Sequence, residues 1–237
     1  YYHSVCLTKR LYSDLNTNYD RIVTLSSSFI EDFCFYCPKA DRTKLFAIPN
    51  FNTFESCKKT AGQQYVLFVG RLRNCVKGVD KLLRIWNEVE DLFPDWQLDI
   101  VGDGEDRTIL EIQAAKMGLK HVMFHGFQDP ALFYQRSKIF CMTSIYEGFG
   151  MVLTEAMQHG VVPMAFNSYS SVTDIIDDNI NGILVKPFDE KEYADKLVSL
   201  MSDENKYKKM SHASMAKSIT FSKEIIVEKW CNLIENL

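Results

Sequence analysis

A chain of 237 residues, 46% of them apolar, holds enough material for a core within one or two domains. Its 27 Lys and Arg against 31 Asp and Glu leave a net charge of −4, which argues against a general nucleic-acid binder because a phosphate backbone demands a basic surface. No run approaches the ~20 apolar residues of a membrane span, and no signal peptide is visible. The seven cysteines (Cys6, Cys34, Cys37, Cys57, Cys75, Cys141, Cys231) are odd in number and scattered. Cys34-Phe-Tyr-Cys37 lacks the second pair that a four-ligand zinc site wants, so no metal site is expected and the thiols read as free in a reducing cytoplasm. The chain opens on Tyr1-Tyr2-His3 rather than Met, which reads as a fragment with its native N-terminus missing.

Residues 1–20 are charged, aromatic and weakly helical around Thr8–Leu15. Arg21–Leu25 reads as a strand. Ser28-Phe-Ile-Glu31 fits a capping box opening a helix over Phe29–Tyr36, and Lys44–Ile48 is a second strand stopped by Pro49-Asn50. Polar residues 50–63, with Asn52, Thr53, Glu55, Ser56, Lys58, Lys59 and Gly62, read as a linker. Tyr65–Val69 is a continuous apolar run ending at Gly70, as expected of a buried parallel strand. Val79, Leu82, Leu83, Trp86, Val89 and Leu92 recur at helical spacing with Pro94 just beyond. Leu98–Val101 is the next strand, closed by Gly102-Asp103-Gly104. Ile109, Ile112 and Ala115 mark a helix stopping near Gly118. Val122–Phe124 is a strand ending at His125-Gly126, and Asp129-Pro130 caps a short helix to about Arg136.

Ile139–Thr143 reads as a buried strand, followed by Glu147-Gly-Phe-Gly-Met-Val-Leu-Thr-Glu155 and a helix to about Gln158, with Gly160 as its left-handed stop. Val161–Phe166 is a strand, Asp177–Gly182 a turn and Ile183–Val185 a short strand. Helices fill roughly Glu190–Met201, Asn205–Lys217 and Lys223–Leu237. Strands alternating with helices predict an α/β fold: a Rossmann-like parallel sheet with helices on both faces.

In such sheets ligands sit beyond the carboxyl ends of the strands. That singles out Gly70-Arg71 with Lys77-Gly78, Gly102–Gly104, His125–Gln128 and Ser144–Gly150. The helix after Gly150 points its unpaired N–H groups and positive dipole end into the crevice, which suits an anion, while Glu147 and Glu155 suit hydroxyls. A ligand carrying both is a nucleotide-sugar. Taken singly each motif has a bland reading. Arg71 and Lys77 could be solvated charges, Gly-Asp-Gly a tight turn, and His125 a packed or capping residue rather than a proton carrier. Glu147 and Glu155 are too far apart for an i,i+4 pair, so any pairing must come through a ligand.

Together, Gly70-Arg71-Leu72 with Lys77-Gly78, Val101-Gly-Asp-Gly104, His125-Gly-Phe127, Glu147 to Glu155-Ala156, and Asn181-Gly-Ile-Leu-Val185 resemble the family 4 retaining glycosyltransferases of the GT-B fold over residues 20–237. The resemblance implies that Arg71 and Lys77 hold the donor diphosphate and stabilise its leaving charge. It implies that Glu147 contacts the donor sugar, helped by the backbone of Gly148, Phe149, Gly150 and Met151, and that Glu155 takes the ribose hydroxyls. The backbone of Phe127 and Gln128 would read the base edge. Gly70 with Gly102, Asp103 and Gly104 would line the nucleotide pocket, and Val152 and Leu153 would pack near the ribose or base. Catalysis would rest on Glu147, Arg71 and Lys77, without metal or cofactor.

The implied division is a tail of the acceptor domain at 1–52, a nucleotide-sugar-binding domain at 53–215 and a helix at 216–237 that crosses back toward the first domain. By the same resemblance, most of the acceptor domain, with its Gly-rich loop and histidine, is expected to lie outside this length. Trp230 and Leu233 are therefore expected to be partly exposed, and this length alone to bind nucleotide weakly and transfer no sugar. Pro163–Ile176 resembles, more softly, bacterial lipopolysaccharide galactosyltransferases. That points to a UDP-hexose donor (galactose or glucose), a glycan or glycolipid acceptor, no nucleic acid, and a cytoplasmic location with peripheral membrane contact through the missing domain. The alternatives are a UDP-sugar epimerase of the same fold and a non-catalytic nucleotide-binding module.

Overall fold

Apolar pentapeptides become strands here because helices cover them on both sides. The computed structural model describes residues 2–53 and 64–236. The first unit comprises α1 (Tyr2–Asn18), β1 (Ile22–Thr24), α2 (Ser27–Tyr36) and β2 (Leu45–Ala47), with β1 and β2 paired in parallel. Beyond it run β3 (Tyr65–Val69), α3 (Asn74–Lys77), α4 (Val79–Asn87), β4 (Gln97–Val101), α5 (Arg107–Met117), β5 (Val122–Gly126), α6 (Ala131–Arg136) and β6 (Ile139–Met142). Then come α7 (Met151–Gln158), β7 (Val162–Phe166), α8 (Val172–Ile175), β8 (Ile183–Val185), α9 (Glu190–Ser202), α10 (Glu204–Ser218) and α11 (Lys223–Glu235). The strands β3 to β8 form one sheet in the order β5-β4-β3-β6-β7-β8, every pairing parallel. The α/β doubly covered sheet expected from the sequence is the observed fold.

Alternation along each strand feeds two cores. Val66 and Phe68 of β3, with Ile139 and Cys141 of β6, pack with Leu82, Leu83 and Trp86 of α4 and with α5 and α9. Leu67, Phe140 and Met142 pack on the opposite face with Phe133, Leu153, Met157 and Val172 of α6, α7 and α8. Fully burying a Leu such as Leu82 or Leu83 contributes roughly 1.5–3 kcal/mol, so these faces dominate stability.

Four local readings are corrected. The cap of α2 is Ser26, which accepts from Ser28 N–H, not Ser28. Ser28 Oγ donates instead to Asp174, and Glu31 pairs with Arg42 at 2.8 Å. The helix after Gly78 ends at Asn87, short of Leu92. There the buried Glu90 carboxylate accepts from Lys120 and His121 N–H at 3.1 Å each and draws the chain into a 3-10 turn over Glu90–Leu92. In α5 the buried face is Leu110 and Ala114, while Ile109 and Ile112 are exposed; both sets are apolar, and the stripe facing the sheet is offset by a residue. Leu233 is buried with Ile48, Ile226, Val23 and Phe46, because α11 already covers the β1–β2 pair; Trp230 is exposed as expected.

Of the supposed linker, residues 54–63 lie outside the described residues. Asn52 is buried, its N–H donating to Phe221 O at 2.9 Å and its Nδ2 to Thr154 O at 3.2 Å. A second tie joins the two sheets. The Asp174 carboxylate accepts from Ser26 Oγ, from Ser27 Oγ at 3.0 Å, and from Ser28 Oγ and N–H at 3.1 and 3.2 Å.

Burial alone would raise the Asp174 carboxyl, but these donors reverse the shift and hold it below its ordinary value of 3.8. A lowered carboxyl stabilises the fold above its unfolded value and loses that contribution as pH falls through the folded one. Asp174→Ala should therefore cost about 1 kcal/mol at pH 7, a figure discounted for solvent screening. The gap to the parent chain should close below about pH 3 in chemical denaturation followed across pH.

Candidate active site

The carboxyl ends of β3, β4 and β5 are stitched side by side by backbone bonds. Gly70 N–H donates to Val101 O (3.0 Å), Leu72 N–H to Asp103 O (2.9 Å) and Gly102 N–H to Gly126 O (2.8 Å). Such close approach requires glycine. At Gly102, φ is +134° and an added Cβ would lie 1.9 Å from Gly70 O; at Gly104 it would lie 2.5 Å from Leu72 O. The resulting cleft, about 740 Å³, is lined by Gly70, Arg71, Gly102, Asp103, Gly104, Phe127 and Gln128 with Pro130. Seven of the residues singled out in the sequence thus share one cleft. The Phe127 ring is 90% exposed at its edge, and Gln128 Nε2 folds back onto His125 O at 3.1 Å. Arg71 pairs with Glu105 at 3.1 Å on the exposed lip.

His125 sits where the β4–β5 register shifts, the geometry of a bulge that re-aims a side chain. Its Nε2 meets Asp99 Oδ1 at 2.8 Å, and Arg136 also bonds the fully buried Asp99. The sequence reading passed over Asp99. The available signal was a carboxylate inside an apolar strand, which must be partnered to be buried.

A second cluster lies between β3 and β6. Lys77 ends α3, and the following Gly78 (φ +59°) lets the chain turn within reach of β6, where a Cβ would lie 2.4 Å from Thr143 O. Thr143 Oγ1 donates to Lys77 O (3.2 Å) and Ile145 N–H to Val76 O (2.8 Å). Lys77 Nζ stands 2.5 Å from Glu147 Oε1, and Ser144 Oγ donates to the same oxygen at 2.6 Å. Their side chains are only 20% and 12% exposed. The family resemblance assigns Lys77 to phosphate and Glu147 to sugar; the structure bonds them to each other, a relation 70 residues apart that no local pattern announces.

Gly150 (φ +95°) opens α7 with no side chain to cap it, so the first N–H groups of that helix are left to other partners. Met151 and Val152 are half-buried, whereas Phe149 and Leu153 face the core, with Leu153 N–H donating to Gly150 O at 2.9 Å and Phe149 O accepting from Ser171 Oγ at 3.2 Å. Tyr169, whose hydroxyl is raised first by burial and then by the Glu147 charge, packs beneath Gly150. Glu155 stands a turn further on, its Oε2 accepting from Tyr134 Oη at 3.0 Å. Burial pushes its carboxyl up and the Tyr134 bond draws it part-way back. The two glutamates therefore occupy separate environments. Among the described residues no three of His, Cys, Asp and Glu gather as metal ligands, and no helix is long and apolar enough to cross a membrane.

The family description "Glycosyl transferases group 1" matches residues 50–216, which span the cleft and both clusters. The chain belongs to this family of glycosyltransferases. An uncharacterized glycosyltransferase of Haemophilus influenzae is 30% identical over 92% of the chain and 62% of its own length. The GalNAc-alpha-(1->4)-GalNAc-alpha-(1->3)-diNAcBac-PP-undecaprenol alpha-1,4-N-acetyl-D-galactosaminyltransferase of Campylobacter jejuni is 30% identical over 73% of the chain and 48% of its length. The lipopolysaccharide 1,6-galactosyltransferase of Salmonella typhimurium is 29% identical over 60% of the chain and 40% of its length. The chain thus spans about half the length of the curated relatives it matches. Among solved structures, Anabaena Alr3699/HepE in complex with UDP superposes with a TM-score of 0.87 at 20% identity, over 99% of this chain and 68% of that one. The fold is that of GT-B glycosyltransferases.

If glycine at 102 is what lets the β3 and β4 loops close, Gly102→Ala must push them apart. It should destabilise the protein by ~2 kcal/mol or more, whereas Gly148→Ala, where an added Cβ meets nothing within 4 Å, should leave stability within ~1 kcal/mol. Thermal unfolding of the two variants checks this.

Proposed function

We propose that this chain carries the donor half of a retaining glycosyltransferase that moves a hexose from UDP-hexose to a bacterial surface glycan. The observation that carries the reading is the Lys77–Glu147–Ser144 cluster, seated where the strand order reverses between β3 and β6. In a doubly wound sheet that switch point is where ligands bind. Lys77 would take up the charge that grows on the departing diphosphate, together with the N-terminal amides of α7 and with Arg71 once it exchanges Glu105 for phosphate. A preorganised donor of this kind is worth about 3–4 kcal/mol at the transition state, so the residues themselves can meet the leaving charge without a metal or cofactor.

Glu147 would accept from donor-sugar hydroxyls, orienting the ring while its anomeric carbon becomes oxocarbenium-like. Bonded to Lys77 and Ser144, it is a poor nucleophile, and it shares no environment with Glu155, so a glycosidase-like pair of carboxylates is not supported. The UDP complex of the Anabaena neighbour and the α-linkage in the name of the Campylobacter relative support a UDP donor and retention. The Salmonella relative supports a hexose and a lipopolysaccharide-type acceptor. We place residues 53–215 as the donor-binding unit, working at the cytoplasmic membrane face.

A thermal-shift panel of UDP, GDP, ADP and dTDP should rank UDP first, with ~2.7 kcal/mol of stabilisation at 100 times its dissociation constant. EDTA should leave that shift unchanged. Lys77→Ala should weaken UDP about 10- to 100-fold, the range for a lost hydrogen bond to a charged group. Preference for another nucleotide, or full affinity in Lys77→Ala, would contradict the assignment.

A further inference from the structure

Tyr134 is the feature of the site that the donor-binding roles do not absorb. Its ring is fully buried on the second face of the sheet, stacked on His159 (centroids 5.5 Å apart, planes at 20°) and tilted against Phe140 at 6.1 Å. It is fixed from below, since Tyr134 N–H donates to Pro130 O at 2.9 Å, and Pro130 lines the nucleotide cleft. Its hydroxyl reaches a charged group, donating to Glu155 Oε2 at 3.0 Å with Val152 O at 3.5 Å. Among the described residues Tyr134 is the only side chain bonded to that carboxylate.

A buried phenol next to a carboxylate is costly unless the two serve each other. The hydrogen bond is charge-assisted and therefore short-ranged and directional. It fixes one oxygen of Glu155 and with it the plane of the carboxylate. We propose that Tyr134 is the positioning residue for ribose recognition: it holds Glu155 Oε2 so that Oε1 is presented to the ribose diol. The inference rests on the reading of Glu155 as the ribose acceptor. Tyr134 does not touch the donor; it acts through Glu155 and ties the carboxylate to the segment that lines the base end of the cleft. His159, whose Nδ1 is 2.9 Å from Glu155 O, holds the other side of the same ring and completes the support.

The test is a calorimetric titration of UDP and 2′,3′-dideoxy-UDP into the parent chain and into the Tyr134→Phe, Glu155→Gln and Phe140→Leu variants. The parent should prefer UDP at least tenfold. Tyr134→Phe keeps the ring and loses only the hydroxyl; UDP should weaken about tenfold and dideoxy-UDP should not change, so the preference collapses. Phe140→Leu disturbs the same ring column and leaves the hydroxyl, so it should lower the melting temperature and keep the preference. If Tyr134→Phe weakens both nucleotides equally, or neither, or if Phe140→Leu also erases the preference, Tyr134 is a packing residue and the proposal fails. The underlying reading fails separately: that outcome is a Glu155→Gln variant that still discriminates the two nucleotides as the parent does.

Discussion

Neighbouring strands β3 and β6 send their connections to opposite faces of the sheet, and the crevice this opens is the constraint on which the site depends. Only groups on the loops directly after those strands can reach into it. Lys77 arrives from one side and Glu147 from the other, and their loops are locked together by the Ile145–Val76 and Thr143–Lys77 bonds. Glycines at 78 and 102 permit backbone contacts that any side chain would block, so the narrowness of the crevice is set by what is absent from those residues.

Charge is handled in the same economical way around the sheet. Five buried or half-buried carboxylates each have a different kind of partner. Glu147 has an ammonium, Glu155 a phenol, Asp99 an imidazole and a guanidinium, Glu90 two backbone amides, and Asp174 three serines. The choice of partner separates the roles. A carboxylate bonded to a cation can give that cation up to a diphosphate and turn to hydroxyls. One held by a phenol has no cation to release. The serine cluster on Asp174 and the buried Asn52 do different work, tying the β1–β2 unit to the larger sheet beside the crevice.

Much of this was legible in the sequence because it depends on short-range pattern. Continuous apolar runs such as Tyr65–Val69 can only be strands buried on both faces, and glycine straight after them marks the loops that approach one another. The cleft residues from Gly70 to Gln128 followed from that logic. The failures share a cause. Ser26 rather than Ser28 caps α2, Leu233 is buried, and Lys77 bonds Glu147, each because of a partner far away in the chain. Asp99 and Tyr134 escaped notice for the same reason, since a buried polar group declares that it has a partner without saying which one.

The central claim is that Lys77 and Glu147 are bonded to each other now and to different parts of one donor during turnover. Calorimetric titration of UDP and of UDP-hexose into Glu147→Gln tests it most directly. The account predicts that UDP binds at least as tightly as to the parent, because Lys77 no longer has to leave a carboxylate, while the extra affinity contributed by the hexose is lost. Equal weakening of UDP and UDP-hexose, or an undiminished hexose contribution, would contradict it.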